Sequence, residues 1–490
     1  MEFSAHIVEF PAEGLAPTQA FLRIARAFGR KHTFFLESIF DPSATELSRR
    51  FARLSIIVCE PVLVVKSRKR RCELDGERAV VAEVKKRIER EFRKSGRAFL
   101  LPEGKDPLHF LKAVMSCLSV ETGVSRFSFG PIGYVAYDFA RFLERLPEKL
   151  PDALRLPETF FVIHRNAVIF DHATNRVHLV SHSGGGKGSS LEKLVNTLRH
   201  GRELALDTSI PKSTTRSNVS EGEFARAVVR AQQHIKAGDI FQVVLSRRIE
   251  VSTPRDPLAV YFDLREINPS PYMFYLDFGD FHFLGASPEV HVRLENGLIE
   301  MRPIAGTRGR GKDAAEEMRI TRELLQNAKE LAEHVMLVDL CRNDVGRVAK
   351  FGSVRVPDLL VVEKYSHVQH LVSHVTGRLR EGNDAFDVFR ATFPAGTVTG
   401  APKVRAMEII EELEKSRRGP YGGAVGYFDL KGNMDTCIAI RAVLMKKGRA
   451  FVQAGAGIVL DSIPRGEWIE TRRKANACIK ALTGRELEER

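Results

Sequence analysis

Strand-forming runs in the C-terminal half of this chain occur in groups, without the regular alternation of strand and helix that parallel sheets require. Residues 272–276, 291–294 and 298–301 are rich in β-formers, and the tripeptide ENG at 295–297 has the composition of a hairpin turn. Long helical patterns follow over 315–341 and 464–482. Because groups of strands precede groups of helices, the pattern predicts an α+β fold with large, mostly antiparallel sheets.

A single low-complexity patch divides the chain. The sequence SHSGGGKGSS at 181–190 is followed by a polar stretch that extends to about residue 218. Glycine and serine at this density predict a flexible connection. We therefore expect an N-terminal region at 1–181, a linker at 182–218 and a C-terminal domain at 219–490. Ser220 and Glu223 form a capping-box pattern that predicts a helix at the start of this domain.

Several classes of protein are disfavoured by composition. The sequence has no run of about 20 apolar residues, and its first residues lack a signal-peptide layout, so we expect no membrane segment. The six cysteines are scattered without a CxxC pair, which indicates a reducing cytoplasm and no zinc site. They are Cys59, Cys72, Cys117, Cys341, Cys437 and Cys478.

The chain is strongly basic, with a formal net charge of +13. Its densest cationic run is KSRKRR at 66–71, which has the pattern of a strand–turn–strand tip. No zinc-finger spacing or RNA-binding aromatic motif accompanies this run, so we predict no nucleic-acid partner. A solvated charge run explains it equally well, and a basic surface also steers acidic small molecules toward a protein.

The segment FPAGTVTGAPKVRAM at 393–407 has the composition of an anion-binding loop. Gly396 and Gly400 flank Thr397, and Pro402 suits the first turn of a following helix. Free N–H groups and hydroxyls at a helix N-terminus favour an anion. The same composition also fits a purely structural turn.

Two pairs of glutamates lie at helical spacing. Glu330 and Glu333 share one helix face, and Glu467 and Glu470 share another. Two facing pairs could hold one Mg²⁺ through carboxylate oxygens, with open positions left for an anionic substrate. The alternative is that each pair faces water, with Glu470 in an ordinary i,i+4 ion pair with Lys474.

Other polar residues are candidates for binding or proton transfer. His370 and His374 would share a face of a strand, and a histidine beside an anionic substrate can act as acid or base near neutral pH. Arg302 and Arg441 could clamp carboxylates or serve as structural ion-pair partners. The AGAG run at 454–457 fits either an anion cradle or tight packing.

Taken together, these segments resemble the chorismate-utilising enzymes, and most closely anthranilate synthase component I. The resemblance extends over nearly all of residues 220–482 and more loosely over FFLES at 34–38 and GYVAYDFAR at 133–141. It implies a β-sandwich flanked by helices, the chorismate-binding enzyme fold. The motifs are PIAGTRGRG (303–311), AEHVMLVDLCRNDVGRV (332–348), YSHVQHLVS (365–373), FPAGTVTGAPK (393–403), GGAVGYFDLKGNMDTCIAIR (422–441) and QAGAGIVLDS (453–462).

The resemblance implies a reaction in tryptophan biosynthesis: chorismate and ammonia give anthranilate and pyruvate, with Mg²⁺ as cofactor. By position, Glu330, Glu333, Glu467 and Glu470 match the Mg²⁺ shell. Glu289 matches the acid that protonates the leaving hydroxyl, and His370 the histidine linked to pyruvate elimination. The residues that match groups around the substrate are Gly306, Thr307, Thr397, Tyr421, Arg441, Gly455, Ala456 and Gly457.

Two positions discriminate within this family. Ala305 lies where similar aminodeoxychorismate synthases carry a nucleophilic lysine, and alanine cannot form that covalent intermediate. Gln242 lies where water-using relatives carry a lysine base, and a neutral amide favours ammonia as the nucleophile. The alternatives that remain are aminodeoxychorismate synthase component I, another chorismate-aminating or isomerising enzyme, and a non-catalytic basic scaffold subunit.

The resemblance also implies partners and regulation. No cysteine lies in a glutaminase-like context, so we expect ammonia from a separate glutamine amidotransferase subunit in a heteromeric complex. Tryptophan is expected as a feedback inhibitor, bound by Ser38, Pro271, Tyr272 and Met273. A strand entry with a proline turn explains the last three residues without a ligand. After FFLES the chain lacks the family's usual glycine-rich continuation, and Pro131 interrupts another of its patterns.

Overall fold

The computed structural model describes residues 1–39, 51, 53–121, 129–364 and 368–487, so the first three residues of YSHVQHLVS lie outside it. In these ranges it has 24 strands, named β1 to β24 in chain order. They are Glu2–Pro11, Phe34–Glu37, Leu54–Arg68, Arg71–Gly76, Arg93–Ser95, Ala98–Leu100, Ser119–Glu121, Pro131–Val135, Thr159–Asp171, Arg176–Ser183, Thr214–Ser217, Gln242–Ser252, Tyr272–Asp277, His282–Ser287, Val290–Glu295, Leu298–Met301, Ile304–Gly309, Arg355–Lys364, Val368–Arg378, Gly400–Ala401, Ala424–Phe428, Met434–Ile438, Ala442–Lys446 and Arg449–Ile458.

Twelve α-helices, α1 to α12, accompany these strands in the described ranges, and two short 3₁₀ turns lie at Tyr137–Phe139 and Gly396–Val398. The helices are Pro17–Phe28, Arg78–Ile88, Pro107–Ser116, Ala140–Leu143, Leu191–His200, Glu221–Lys236, Pro257–Ile267, Ala314–Gln326, Ala328–Gly346, Ala385–Thr392, Lys403–Leu413 and Pro464–Thr483. None of them is long and apolar enough to cross a membrane.

The predicted α+β class with antiparallel sheets is confirmed. Neighbouring strands pair antiparallel almost throughout, as in β12 with β24 and β18 with β19, whereas β1 and β7 pair in parallel. One buried cluster consists of the apolar faces of strands, and includes Phe34, Phe160, Phe274 and Phe283. This cluster is the interior of a sandwich, and the helices cover its outer surfaces over two further apolar clusters.

Local predictions around the site are confirmed in part. The hairpin turn joins β15 to β16, with Asn296 and Gly297 at φ +51° and +75°. The capping box of Ser220 is present at the start of α6. The single helix predicted over 315–341 is wrong: α8 ends at Gln326 and α9 begins at Ala328. Asn327 between them is extended, and its side-chain oxygen accepts a hydrogen bond from the backbone N–H of Glu330 at 3.0 Å.

The segment predicted as a flexible linker, 182–218, is ordered in part, which corrects that prediction. It contains helix α5, whose Leu194 and Leu198 are buried against the core, and strand β11, which pairs with β12. Apolar residues at helical spacing after the glycine-serine patch account for this helix. Strands from both sides of the segment lie in one sheet, since β2 pairs with β13 and β8 with β21.

Candidate active site

The base of the candidate site is the pair of strands β12 and β24. Val244 lies opposite Gly457, and Ser246 lies opposite Gly455. A Cβ atom at Gly457 would lie 2.4 Å from Nε2 of Gln242, and one at Gly455 would lie 2.9 Å from the Tyr421 hydroxyl. The glycines of the AGAG run therefore leave room for two polar side chains against the strand, with the buried Ala456 between them.

Gln242 lies at the start of β12, and only the nitrogen of its side-chain amide is hydrogen-bonded within the described residues. Its Nε2 donates to Oε1 of Glu333 at 3.0 Å. Its side-chain carbonyl oxygen is buried and has no hydrogen-bond partner among the described residues. Since Gln242 is only 4% exposed, this oxygen is an acceptor ready for a small N–H or O–H donor.

Glu289 follows β14, and its carboxyl is buried. Burial raises the pKa of Glu289 to about 8, although Thr397, Lys474 and Arg441 each oppose that rise. The carboxyl therefore holds its proton at neutral pH and can act as an acid. The Thr397 hydroxyl faces it from the 3₁₀ turn, but the geometry falls short of a hydrogen bond, and this buried hydroxyl has no partner among the described residues.

His370 lies on β19, and its ring is oriented by one backbone carbonyl. Its Nδ1 is 3.1 Å from the carbonyl oxygen of Gly306, an atom that can only accept, so Nδ1 carries the proton. Burial lowers the pKa of His370, and the charge of Arg441 lowers it further. The ring is therefore neutral at pH 7, and because Nδ1 carries the proton, Nε2 is the nitrogen that can act as a base. His374 differs, because it contacts the buried Glu300 at 3.2 Å.

The two arginines proposed as carboxylate clamps differ in the structure. Arg302 forms an ion pair with Glu363 and is therefore a structural partner. The side chain of Arg441 makes no ion pair or hydrogen bond among the described residues. Burial lowers its pKa, while the charges of Glu470 and Glu289 oppose that effect. A partly buried guanidinium without a paired carboxylate can bind an anionic ligand. The pKa of its neighbour Tyr421 is raised by burial to about 12.

The four glutamates lie on α9 and α12 around one space. Burial raises the pKa of Glu333 and of Glu467, and the charge of Glu470 raises both further. Oε1 of Glu330 accepts from Nη1 of Arg308 at 2.9 Å, and Glu470 forms the expected i,i+4 ion pair with Lys474 at 2.6 Å. In the described part of the chain, no three such side chains converge closely enough to hold a metal ion.

Strand β17 brings Gly306 to the same place. Its φ is +59°, and a Cβ atom there would lie 3.2 Å from Oε2 of Glu330. The backbone of Thr307 lies opposite His370 in the pairing of β17 with β19. The predicted catalytic, substrate-binding and metal-binding positions are therefore neighbours, linked by direct contacts or by their effects on one another's pKa.

Lys474 is a site residue that sequence reasoning did not assign. Its Nζ donates to the carbonyl oxygen of Gly455 at 3.1 Å, in addition to its ion pair with Glu470. Its charge also lowers the pKa of Glu289 and opposes the rise at Glu333. Helical spacing indicated only the contact with Glu470, because the contact with β24 depends on how α12 packs.

A second cavity lies between β2, β13, β15, β21 and β22. Ser38, Tyr272 and Met273 line it, with Arg293 and Asp435 among its charged residues. The Tyr272 hydroxyl donates to Oδ1 of Asp435 at 3.1 Å. Pro271 precedes β13 and is not among the described residues that line this cavity.

Comparisons with known proteins were made for the whole chain. The family model described as chorismate binding enzyme matches residues 60–480. Anthranilate synthase component 1 of Acetivibrio thermocellus is 44% identical over 467 residues, which cover 92% of this chain and 90% of that protein. Aminodeoxychorismate synthase component 1 of Bacillus subtilis (strain 168) is 40% identical over 477 residues, 95% of this chain and 94% of that protein.

A solved structure is similar over most of the chain. The crystal structure of anthranilate synthase component I from Streptococcus pneumoniae TIGR4 superposes with a TM-score of 0.75 at 35% sequence identity. The match covers 87% of this chain and 92% of that one. The similarity therefore includes both the region that holds the candidate site and much of the N-terminal region.

Proposed function

The chain belongs to the chorismate-binding enzymes, and from that premise we propose that it is a component I of anthranilate synthase, converting chorismate and ammonia to anthranilate and pyruvate. The observation that carries this proposal is the side chain of Gln242. Its buried carbonyl oxygen lacks a donor, and a neutral amide cannot remove a proton from water. Ammonia is a donor that fits this acceptor, and its nitrogen lone pair stays free to attack the ring.

Each chemical step has a candidate residue. The protonated Glu289 gives its proton to the C4 hydroxyl, which leaves as water while ammonia forms a bond to ring C2. Nε2 of His370 then takes the proton from C2 as the bond between C3 and the side-chain oxygen breaks, and the electron pair of that bond leaves with the enolpyruvate anion. This anion takes a proton at its methylene carbon to become pyruvate, and the new ammonium group returns a proton to the Glu289 carboxylate. The products are anthranilate, pyruvate and water, which together account for every atom of chorismate and ammonia.

Substrate binding would depend on the polar groups beside the candidate catalytic residues. Arg441 and Tyr421 suit the carboxylate of the side chain, with backbone N–H groups of Gly455 and Gly457 beside them. The Thr397 hydroxyl would donate to the substrate or to Glu289 once the site is filled.

Mg²⁺ is the proposed cofactor, held by Glu330, Glu333, Glu467 and Glu470. The donor set consists of carboxylate oxygens alone, which suits a hard divalent cation. Burial raises the pKa of Glu333 and of Glu467, the charge of Glu470 raises both further, and a bound cation would relieve that repulsion. When bound, the cation supplies positive charge for the ring carboxylate of chorismate. Arg308 and Lys474 neutralise two of these carboxylates in its absence.

The partners follow from the same proposal. Ammonia would come from a glutamine amidotransferase subunit in a heteromeric complex. Tryptophan would inhibit by binding in the second cavity, whose lining includes the charged side chains of Arg293 and Asp435 and the apolar side chains of Met273 and Met434.

The test is the reaction of purified protein with chorismate, Mg²⁺ and ammonium, with anthranilate measured by fluorescence and pyruvate by an enzymatic assay. Equal amounts of both products are expected, and they should disappear with EDTA and in Glu330→Gln. Glu381→Gln, whose side chain is 95% exposed, is the control. A 4-amino product would favour aminodeoxychorismate synthase, the activity named for the Bacillus subtilis relative, although Ala305 offers no nucleophile for it. A product without nitrogen would indicate a water-using enzyme.

A further inference from the structure

A basic groove lies at one end of the sheet, remote from the candidate active site. We define the basic groove as the space of about 700 Å³ lined by the hairpin that joins β3 to β4, the loop before β9 and the turns after β13 and β23. Among the described residues, seven cationic side chains and two anionic ones, Glu73 and Asp280, line it. The cations are Lys66, Arg68, Lys69, Arg71, Arg155, Lys446 and Lys447.

Only some of these cationic side chains form ion pairs or hydrogen bonds within the described part of the protein. Lys66 pairs with Glu73 at 3.1 Å, and Arg68 pairs with Asp152 at 3.0 Å. The side chains of Lys69, Arg155 and Lys447 make no ion pair or hydrogen bond within the described ranges. The groove therefore has an excess of positive charge, because these three cations have no carboxylate partner in the described chain.

The same three residues have left-handed backbone conformations. The φ angles of Lys69, Arg155 and Lys447 are +54°, +50° and +51°. Glycine or asparagine adopts this conformation at lower cost than a long side chain does. Three long cations therefore lie at turn positions that glycine or asparagine would fit better. The backbone N–H groups of Lys69 and Arg155 donate to Glu158 and Asp152, but the three side chains have no partner within the described ranges.

The lining favours carboxylates over nucleic acid. Phe160 and Phe281, its aromatic residues, are 6% and 4% exposed, so neither offers a face on which a base could stack. Among the described lining residues there are also no Asn or Gln side chains, the amides that pair with adenine edges. Lysine and arginine without such groups suit a flexible acidic segment of a protein, which can fit its carboxylates to their positions.

The position of the groove agrees with a docking role. Lys447 precedes β24, and Gly457 lies near the other end of that strand. The nine strand residues from Arg449 to Gly457 span about 25 Å. A segment bound in the groove would therefore leave access to Gln242 and Glu289 open.

We propose that the basic groove binds a carboxylate-rich segment of a protein partner. This inference goes beyond the proposed function and does not rest on it, because none of its residues belongs to the candidate active site. Its attraction is electrostatic, so binding should weaken steeply as salt is raised.

The test uses a fluorescein-labelled oligoglutamate of about twelve residues as the probe, with binding followed by fluorescence anisotropy at low and physiological salt. The variant Lys69→Glu, Arg155→Glu, Lys447→Glu should bind the probe at least tenfold more weakly. A control with the same change in net charge is Lys86→Glu, Arg226→Glu, Lys236→Glu, all three exposed and outside the groove. It should change binding less than twofold.

Further measurements distinguish the proposal from its rivals. The Gln versions of the three groove substitutions should give an intermediate loss, and circular dichroism should show that every variant is folded. An equal loss in groove and control variants would overturn the proposal in favour of net charge alone. A DNA or RNA duplex of matched charge that binds the groove more tightly than oligoglutamate would overturn it in favour of nucleic acid. Ammonium-dependent turnover of chorismate should be unchanged in all variants, so failure of the enzymatic proposal would be seen separately.

Discussion

At the scale of single residues, the buried carboxyl of Glu289 determines how activity should depend on pH. Its raised pKa, about 8, means that the acid is protonated and active below that pH. With the concentration of free ammonia held constant, kcat/KM should therefore fall about tenfold per unit as pH rises above 8. Glu289→Gln should lower the rate by about 10²- to 10⁴-fold and abolish this limb of the profile. A limb that survives the substitution would assign it to another group.

The same group predicts a change in stability that does not depend on activity. Because the pKa of Glu289 is raised in the folded state, its contribution to folding is full below its unfolded pKa of 4.5 and is lost as pH rises through about 8. Glu289→Gln should therefore gain in melting temperature relative to the wild type as pH rises from about 5 to about 8, with little further gain above pH 8. Glu381→Gln, with its exposed side chain, should show no such trend.

Gly457 provides a second test at the residue scale. In Gly457→Ala the new methyl group would meet Nε2 of Gln242 at 2.4 Å and force the amide away from Glu333. The turnover number with saturating chorismate should fall at least tenfold, since the acceptor for ammonia is displaced. Gly346→Ala is the matched control, because a methyl group there meets nothing within 4 Å. Equal activity in the two variants would show that Gln242 has no role in the amination step.

At the scale of elements, a substitution in the segment that continues β2 should weaken tryptophan binding in the second cavity. Ser38→Phe places an aromatic ring in a cavity also lined by Tyr272 and Met273. The tryptophan concentration that halves activity should rise more than tenfold, while uninhibited activity stays within about twofold. Ser209→Phe, at an exposed position, controls for the added aromatic group. Inhibition that is unchanged in Ser38→Phe would place the tryptophan site elsewhere.

Local patterns predicted several elements correctly and missed others for identifiable reasons. The turn at Asn296 and Gly297 was predictable because both residue types tolerate positive φ. The break at Asn327 was missed because its capping bond to Glu330 competes with a helical pattern that continues on both sides. Helix α5 was missed because the composition of the preceding glycine-serine patch was extended over it.

In the candidate site, too, the sequence predicted some features and missed others. Motifs along the chain identified Glu289, His370 and Gln242 as chemical groups. They did not indicate that Lys474 donates a hydrogen bond to the carbonyl oxygen of Gly455, or that Arg302 forms an ion pair with Glu363. Such contacts join elements far apart in sequence, and periodicity within one element carries no information about them.

At the scale of the whole molecule, the regions before and after residues 182–218 share one sheet and several buried contacts. Strand β2 lies against β13, and Glu37 accepts two hydrogen bonds from Arg265, each 2.8 Å long. Asp106 pairs with Arg390 at 2.7 Å across the same division. Separating the two regions would leave these carboxylates and the apolar faces beside them without partners.

We therefore expect the chain to unfold as one cooperative unit, although its length and glycine-serine patch suggested two domains. Calorimetry should show a single transition whose calorimetric and van't Hoff enthalpies agree. A fragment of residues 219–490 should show no cooperative transition alone, because strand β13 would lose its neighbour β2 and strand β21 its neighbour β8. Co-expression with a fragment of residues 1–218 should restore both the transition and the turnover of chorismate. Two separate transitions in the intact chain, or a cooperative melt of the isolated fragment, would instead establish residues 219–490 as an independent domain and make the shared sheet a docking contact.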